Sequence, residues 1–251
     1  MIKPTVAMTR VVNSCVLLEL DGHAVLTDPW FTERWWLRRG EPLGLRVPDL
    51  PPLTAIVVTN VATNHWDLRA LRRFPAKDDT PLYVPARGMA RRARALGFRR
   101  AERLTWGRTL DLAPGLSMTV VPSGRTAVWP NNAYVFTTAG GRVVFFGGEM
   151  GEVAPLERYR AGRPPVDLAL LPVNGLRSPL GPRLVMGPGE AVAGASALGA
   201  KVLVPIHDAH GDDPLSRLFR PTGTASDAVA LAGPELRVTN LPTGERWELD
   251  A

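Results

Sequence analysis

Short apolar runs bounded by turn-forming residues recur along the chain. The runs SCVLLEL and HAVLTDPWF flank Asp21-Gly22, a pair that favours tight hairpin turns, and they predict two antiparallel strands. A third run, LTAIVVTN, predicts a strand over residues 55–59, and the pattern after it predicts a helix near residues 67–74. Between these elements, residues 29–52 are rich in Pro, Arg and Trp, which indicates a long loop.

Strand and helix patterns continue to alternate through the rest of the chain. Further strands are predicted at PLYVPA, RTLDLA, LSMTVVP, AYVFTT, GRVVFFGGE, DLALLPV, KVLVPIHDAH, LRVTNL and RWELD. Further helices are predicted over the arginine-rich residues 87–103, at PGEAVAGASALGA and near residues 224–232. Hairpins followed by strands that alternate with helices, twice over, favour two β-sheets packed face to face with helices on their outer faces. We expect residues 1–251 to form a single domain of this kind.

Composition restricts the location of the protein and the type of metal site. Hydrophobic residues make up 45% of the chain, yet no run approaches the roughly 20 apolar residues of a membrane span. Residues 1–10 lack the pattern of a secretory signal, so we expect a cytoplasmic protein without a membrane partner. The single cysteine, Cys15, excludes an internal disulfide and a thiolate-only zinc cluster. Any metal would have to be held by histidine and carboxylate.

The positive charge is concentrated in one segment. The formal net charge is +6, and seven arginines lie within residues 87–103. Apolar residues at Met89, Ala93 and Leu96 follow a helical spacing, so most of these arginines should lie on a solvent-exposed face. The segment lacks the interleaved aromatic residues that stack on nucleic-acid bases. We therefore expect no nucleic-acid partner, and binding of nucleic acid through this face is the weakest functional alternative.

Polar residues follow four of the predicted strands. Asn60, Asn64 and His65 come after LTAIVVT, and Arg125 comes after LSMTVVP. Glu149 and His207 come after the GRVVFFGG and KVLVPI runs. The order and spacing of these blocks resemble those of the metallo-β-lactamase fold hydrolases, and more narrowly the branch that includes L-ascorbate-6-phosphate lactonase and N-acyl-phosphatidylethanolamine phospholipase D. The resemblance covers most of the chain. It implies a four-layer αββα sandwich in which these loops meet at one edge.

The resemblance also implies metal-ligand positions, of which only part is retained. The family carries a His-x-His-x-Asp-His motif in the second block, and here Asn60 and Ala62 stand at its first two histidines. Asn64 stands at its aspartate, whereas His65 matches its last histidine. A first zinc ion would therefore lack these imidazole ligands, because neither alanine nor an asparagine amide replaces an imidazole.

In the later sequence blocks, too, some of the family's metal-ligand residues are replaced and others are retained. Arg125 occupies the position of the next family histidine, although a one-residue slip would place Gly124 there. Glu149 replaces the bridging aspartate, and His207 matches the final histidine. The guanidinium of Arg125 would repel a dication. We therefore expect no dinuclear centre and no metal cofactor, with a single Zn, Fe or Mn ion on His65, Glu149 and His207 as the alternative.

Without metal, the retained residues suggest an acid–base site. Arg125 would point into the cavity left by the first ion and stabilise negative charge there. His65 and His207 would move protons, and Glu149 would set their orientation or pKa. Arg125 and Glu149 would alternatively form an inert buried ion pair.

Several other residues complete the predicted site. Asn60 and Asn64 would hydrogen-bond the substrate. Trp30 and Trp66, with Trp35 and Trp36, predict an aromatic lid over a bulky organic substrate.

Two aspartates and one further histidine are predicted to have structural roles. Asp67 is predicted to orient His65, and Asp28 to brace its own loop. His210 is explained as part of a polar loop.

Two functional classes follow from these residues. We expect a divergent enzyme, hydrolase-like or a lyase or cyclase, that acts on a small acyl, lactone or phosphate-bearing molecule with little or no dependence on metal. The alternative is a non-catalytic descendant of the fold that binds a small molecule or a protein.

Overall fold

A computed structural model describes residues 5–126, 129–179, 181 and 183–250. Within these residues the chain forms two seven-stranded sheets. The first sheet has the strand order β14-β1-β2-β3-β4-β5-β6. Its strands are β1 Val6–Val12, β2 Cys15–Leu20, β3 His23–Thr27, β4 Ala55–Val57, β5 Leu82–Val84, β6 Ala101–Arg103 and β14 Arg246–Glu248.

The second sheet has the strand order β13-β12-β11-β10-β9-β8-β7. Its strands are β7 Thr109–Ala113, β8 Leu116–Thr126, β9 Trp129–Thr138, β10 Val143–Phe146, β11 Leu168–Pro172, β12 Val202–Ile206 and β13 Arg237–Val238. The helices of the chain are α1 Leu68–Arg72, α2 Arg87–Ala95, α3 Ala154–Arg160, α4 Pro188–Ala197, α5 Pro214–Leu218 and α6 Ala225–Leu231. None of the helices in the described residues is long and apolar enough to cross a membrane.

The two-residue period of the strands builds three apolar layers. In β11, Leu168 and Leu170 enter the core between the two sheets, whereas Ala169 and Leu171 face the helices on the outer side. The central layer takes side chains from both sheets, such as Leu18 from β2 and Phe136 from β9. The sheets therefore pack face to face.

Helices cover the outer face of each sheet. Met89 and Ala93 of α2 pack with the outer side chains of the first sheet, and Leu156 of α3 and Ala191 of α4 pack with those of the second. The result is the four-layer αββα sandwich that the sequence predicts.

Several elements differ from the sequence-based prediction. Strand β1 and helices α3 and α5 were not predicted. The arginine-rich segment is helical only over Arg87–Ala95, because Gly97 adopts a left-handed conformation and the chain then enters β6. Residues 29–52 form the predicted long loop, with one 3-10 turn at Val47–Asp49, and this loop packs Leu37 into the core of the first sheet.

Parallel strands place the loops of the candidate site. Strand β3 runs parallel to β4, and β10, β11 and β12 are parallel to one another. Residues that directly follow these strands therefore emerge at the same edge of their sheet. Asp28 follows β3, Glu149 comes shortly after β10, and His207 follows β12.

Candidate metal centre and active site

Asp28 is held rigidly at the end of β3. It is fully buried and has a positive φ of 38°, which is uncommon for a residue with a side chain. Its Oδ1 accepts a hydrogen bond from the Thr59 amide at 2.7 Å, and its Oδ2 accepts one from the Thr59 hydroxyl, also at 2.7 Å. The carboxylate orientation is therefore fixed by the loop after β4.

Asp28 in turn orients His65. The Nδ1 of His65 lies 2.7 Å from Asp28 Oδ2, and both side chains are inaccessible to solvent. Because a carboxylate can only accept, His65 Nδ1 carries the proton of this bond. In the neutral imidazole, Nε2 then presents its lone pair on the opposite side of the ring.

His207 faces His65 across the site. The two Nε2 atoms are 3.0 Å apart, and the rings are stacked with centroids separated by 5.0 Å. His207 has a φ of 66°, and its amide donates to the carbonyl of Asn13 at 3.3 Å. The turn between β1 and β2 therefore supports this strained residue.

Glu149 completes the group. Gly148 precedes it with a φ of 59°, and a Cβ at that position would overlap Thr59, so this close approach requires glycine. Glu149 Oε2 lies 3.6 Å from His65 Nε2 and accepts a hydrogen bond from Asn60 Nδ2. Donor atoms from His65, Glu149 and His207 all lie within 4.8 Å of one another.

Burial and mutual charge shift the pKa values of these groups. Burial opposes protonation of His65, but the charge and hydrogen bond of Asp28 and the charge of Glu149 outweigh it and raise the pKa of His65. Burial lowers the pKa of His207 well below its ordinary value, and charge on His65 and His210 lowers it further. Burial raises the pKa of Glu149, with charge on His65 acting in the opposite direction.

Two of the three donor separations are close to those expected around a single shared metal ion. Metal bonds of about 2.0–2.1 Å to imidazole nitrogen, at angles near 90–110°, place neighbouring ligand atoms roughly 2.9–3.4 Å apart. The observed separations of 3.0 Å between the two imidazoles and 3.6 Å from His65 to Glu149 are close to this range. A carboxylate behind a histidine is also the usual support for a metal ligand. Two histidines and one carboxylate suit Zn or Fe.

The charge balance also suits a divalent ion. With neutral His65 and His207, the carboxylates of Glu149 and Asp28 supply two negative charges to balance the ion. The sequence alone shows the loss of a carboxylate at Asn64 and an added positive charge at Arg125, which together disfavour a metal. The structure adds the buried carboxylate of Asp28, which offsets the lost charge.

Arg125 lies against Trp106, which corrects the expectation that it points into the cavity left by the first metal ion. Its side chain is exposed, and its guanidinium carbon lies 5.7 Å from the centre of the Trp106 ring. It lines a different cavity, together with Arg103 and Asn132. This placement gives no support to a substitute for zinc at Arg125, and that role remains a prediction.

The two asparagines lie in the site. Asn60 donates to Glu149, and its Oδ1 accepts from the Ala62 amide at 2.6 Å. Asn64 Nδ2 is 3.4 Å from His207 Nε2. Each amide therefore contacts one candidate metal ligand directly, Asn60 at Glu149 and Asn64 at His207. Of the two, Asn64 also lines an adjoining cavity.

The tryptophans and Asp67 have structural positions. Trp30 is fully buried and Trp66 is 5% exposed, and both belong to the core between the first sheet and its helices. Neither is placed as the predicted lid, although Trp35 is exposed. Asp67 caps α1 and accepts from the Thr32 amide at 2.6 Å. The residue that orients His65 is thus Asp28, not Asp67.

An apolar cavity of about 220 Å³ opens beside the group. His207, Glu149 and His210 contribute to its lining. The remaining lining is mostly apolar and comprises Ala62, Asn64, Leu176, Leu184, Leu215, Ser216 and Phe219. His210 also lines a separate, more polar cavity of about 390 Å³, whose lining includes Asn174 and Asp208.

Sequence reasoning missed Asp28 and His210. The ring of His210 lies 5.1 Å from that of His207, and its Nε2 is buried without a hydrogen-bond partner among the described residues. A signal for Asp28 was present, because it follows a strand that neighbours the one before Asn60. No comparable signal existed for His210, whose position depends on the fold of the loop after β12.

A family model for the beta-lactamase superfamily domain matches residues 23–207. The chain belongs to the beta-lactamase superfamily. Uncharacterized proteins of Mycobacterium tuberculosis and Mycobacterium bovis are 28% identical over 92% of this chain and 68% of their own length. The narrower resemblance to the lactonase and phospholipase branch remains a prediction.

Several solved structures share the fold at low sequence identity. An isothiocyanate hydrolase from Delia radicum gut bacteria has a TM-score of 0.76 at 18% identity, covering 96% of this chain and 98% of that one. A metallo hydrolase from Ignicoccus hospitalis has a TM-score of 0.71 at 18% identity, covering 98% and 99%. A diiron β-hydroxylase from Streptomyces venezuelae has a TM-score of 0.72 at 16% identity, covering 100% of this chain and 55% of that one. The fold thus carries both hydrolytic and oxidative metal chemistry.

Proposed function

We propose that this superfamily member is a hydrolase with one metal ion, held by His65, Glu149 and His207, and that it acts on a small organic molecule with an apolar group. The observation that carries the proposal is the convergence of the three donor groups beside an apolar cavity, with Asp28 bonded to the far side of His65. Three protein ligands with an open position are typical of catalytic metal sites, whereas structural sites are closed.

An ion held by these residues would supply a lowered pKa for a bound water and polarisation of the bond to be hydrolysed. Asp28 keeps the proton on His65 Nδ1, so that Nε2 stays available as a ligand. The lowered pKa of His207 keeps its imidazole neutral at pH 7, which a ligand requires. Asn60 fixes the carboxylate of Glu149 through its amide.

The groups left for the substrate are Asn64, His210 and the apolar wall. His210 is neutral at pH 7, because burial and the charge of His65 lower its pKa to about 4. Its unpartnered Nε2 is suited to a hydrogen bond with water or with a polar substrate group. Leu184 and Phe219 offer apolar contact to the rest of the substrate.

The cavity size favours a small substrate. Its volume of about 220 Å³ is below the roughly 300–1,000 Å³ of sites for drug-sized ligands. Short-chain esters, lactones and isothiocyanates combine a small electrophilic carbon with an apolar group, and they form the substrate class that we propose.

A non-catalytic binding protein is the second candidate. The hydrogen bond from Asn60 to Glu149 favours it, because this amide satisfies the carboxylate without a metal. In that case the apolar cavity would bind a small molecule without converting it.

Hydrolysis assays separate the two candidates. Protein supplied with Zn²⁺, Mn²⁺ or Fe²⁺ is assayed on a short-chain p-nitrophenyl ester, a γ-lactone and an alkyl isothiocyanate, before and after treatment with a chelator. We expect at least one to be hydrolysed, with the activity lost on chelation and in His207→Ala. His23→Ala is the matched control, because His23 lies at the start of β3 and bonds the Pro114 carbonyl. Activity that survives both chelation and His207→Ala would refute the proposal.

A further inference from the structure

A basic concavity lies on the first sheet, beside α2. Arg87, Arg91 and Arg94 are spaced so that they share one face of that helix. Together with Arg103 of β6 and Arg108, they contribute most of the lining of a cavity of about 500 Å³. We call these five residues the arginine groove. They share no lining residue with the apolar cavity beside His207.

The charge of the arginine groove is poorly balanced. Glu102 forms an ion pair with Arg108 and is the one acidic residue in the lining. Five guanidinium groups and one carboxylate leave an excess of four positive charges. Within the described part of the chain, Arg87, Arg91 and Arg103 make no ion pair or side-chain hydrogen bond. A polyvalent anion would satisfy these donors and relieve their repulsion.

A second cavity, of about 380 Å³, adjoins the groove. Arg103 and Thr105 line both cavities, and the lining of the second also includes Trp106, Arg125 and Pro130. Trp106 is 39% exposed, and its Nε1 donates to the Asn131 carbonyl at 3.0 Å, which fixes the orientation of the ring. The Arg125 guanidinium lies over this ring, with its carbon 5.7 Å from the ring centre. The aromatic surface available next to the arginines is therefore the part of Trp106 that Arg125 leaves exposed.

Asn132 adds a polar group to the second cavity. It is 1% exposed, and its Nδ2 donates to the Leu104 carbonyl and the Tyr134 hydroxyl, both at 3.3 Å. Its Oδ1 has no hydrogen-bond partner among the residues that the structure describes. A buried acceptor without a partner is costly, and an N–H group of a ligand would satisfy it.

We propose that the two cavities together bind a nucleoside polyphosphate. The phosphates would lie on the arginine groove, because guanidinium groups bind phosphate through paired hydrogen bonds. The base would lie in the second cavity, where Trp106 supplies a stacking surface and Asn132 an acceptor. The site is separate from the metal centre, so binding here does not depend on the proposed hydrolase activity.

Calorimetric titration of the whole protein tests the proposal, with Mg²⁺ in excess of each nucleotide. The probes are ATP, inorganic tripolyphosphate, adenosine and a 20-nucleotide oligo-dT. We expect ATP to bind more tightly than tripolyphosphate, adenosine to bind weakly, and the affinity for ATP to fall with rising salt. Replacing Arg91 and Arg103 together by Gln should weaken ATP and tripolyphosphate at least tenfold. Trp106→Ala should weaken ATP but leave tripolyphosphate unchanged.

The matched control replaces Arg69 and Arg72, exposed residues of α1, by Gln, which removes the same charge elsewhere. This control should bind ATP as the wild type does. An equal loss of affinity in the control would overturn the proposal, since net charge alone would then explain binding. Absence of ATP binding, or tight oligo-dT binding together with weak ATP binding, would also overturn it, the latter in favour of single-stranded nucleic acid. Thermal unfolding of each variant verifies that it is folded.

Discussion

Replacing Asp28 by Asn should change which ring nitrogen of His65 carries the proton, while the size and shape of the side chain at position 28 stay nearly the same. Asp28 Oδ1 accepts from the Thr59 amide, so the oxygen of the new side chain must remain there. Its nitrogen then takes the place of Oδ2 and donates to His65 Nδ1. The proton of a neutral His65 moves to Nε2, the atom that faces His207, and His65 can no longer offer Nε2 as a ligand.

The expected effect is large on metal binding and moderate on stability. Loss of a supporting residue behind a metal ligand typically lowers affinity by about 10–100-fold, which corresponds to roughly 1.4–2.7 kcal/mol. A buried hydrogen bond to a charged group contributes about 1.5–3 kcal/mol, and the donors of Thr59 retain part of their bonding. Competition with a chromogenic chelator measures the affinity, and urea unfolding of metal-free protein measures the stability.

Asp67→Asn is the matched control for this substitution. Asp67 is equally buried, but it caps α1 and bonds Thr32. Its replacement should lower the free energy of unfolding by about 1 kcal/mol and leave metal affinity unchanged. Unchanged metal affinity in Asp28→Asn, or an equal loss in both variants, would refute the role of Asp28.

Three further predictions concern the surroundings of the site. Phe219→Ala should raise the KM for an apolar ester by roughly 10–200-fold with little change in kcat, because it removes apolar contact; equal KM values in steady-state kinetics would contradict this. Trp30→Ala should lower the free energy of unfolding in urea by about 3–5 kcal/mol, since the side chain is fully buried, and a loss of less than about 1 kcal/mol would count against its core position. In chelator-treated protein, the free energy of unfolding should fall as pH drops from about 6.5 to about 4, because in this range the unfolded chain binds a proton at His210 and the folded chain does not. His210→Gln should show a smaller fall. Identical pH profiles of unfolding free energy in the wild type and His210→Gln would contradict the lowered pKa of His210.

The four-layer sandwich could be predicted because the patterns that indicate its strands and turns lie within short stretches of the sequence. The alternating pattern of DLALLPV determines which residues of β11 face each layer, and the Asp21-Gly22 turn defines the β2–β3 hairpin. Helix α3 could not be predicted because its two buried residues, Pro155 and Leu156, are adjacent and do not form a helical pattern of apolar positions. Short elements of this kind depend on tertiary packing for their stability.

The candidate site was only partly predictable. His65, Glu149 and His207 could be selected because they stand at the ligand positions of the family that the sequence resembles. Which carboxylate supports His65 depends on the register of β3 against β4, and that register places Asp28, not the nearby Asp67, behind the ring. The position of Arg125 depends on the course of the β8–β9 hairpin, which has a register shift between Pro122 and Arg125.

Anomalous diffraction from crystals grown with Zn²⁺, without chelator, tests the central claim most directly. Our account predicts a single strong peak at the zinc edge, about 2.0–2.1 Å from the Nε2 atoms of His65 and His207 and bonded to Glu149. It also predicts no peak at this site in crystals of His207→Ala. Two peaks beside these residues would show a dinuclear centre, and no peak in the wild type would show that the three residues do not hold an ion; either result would contradict the account.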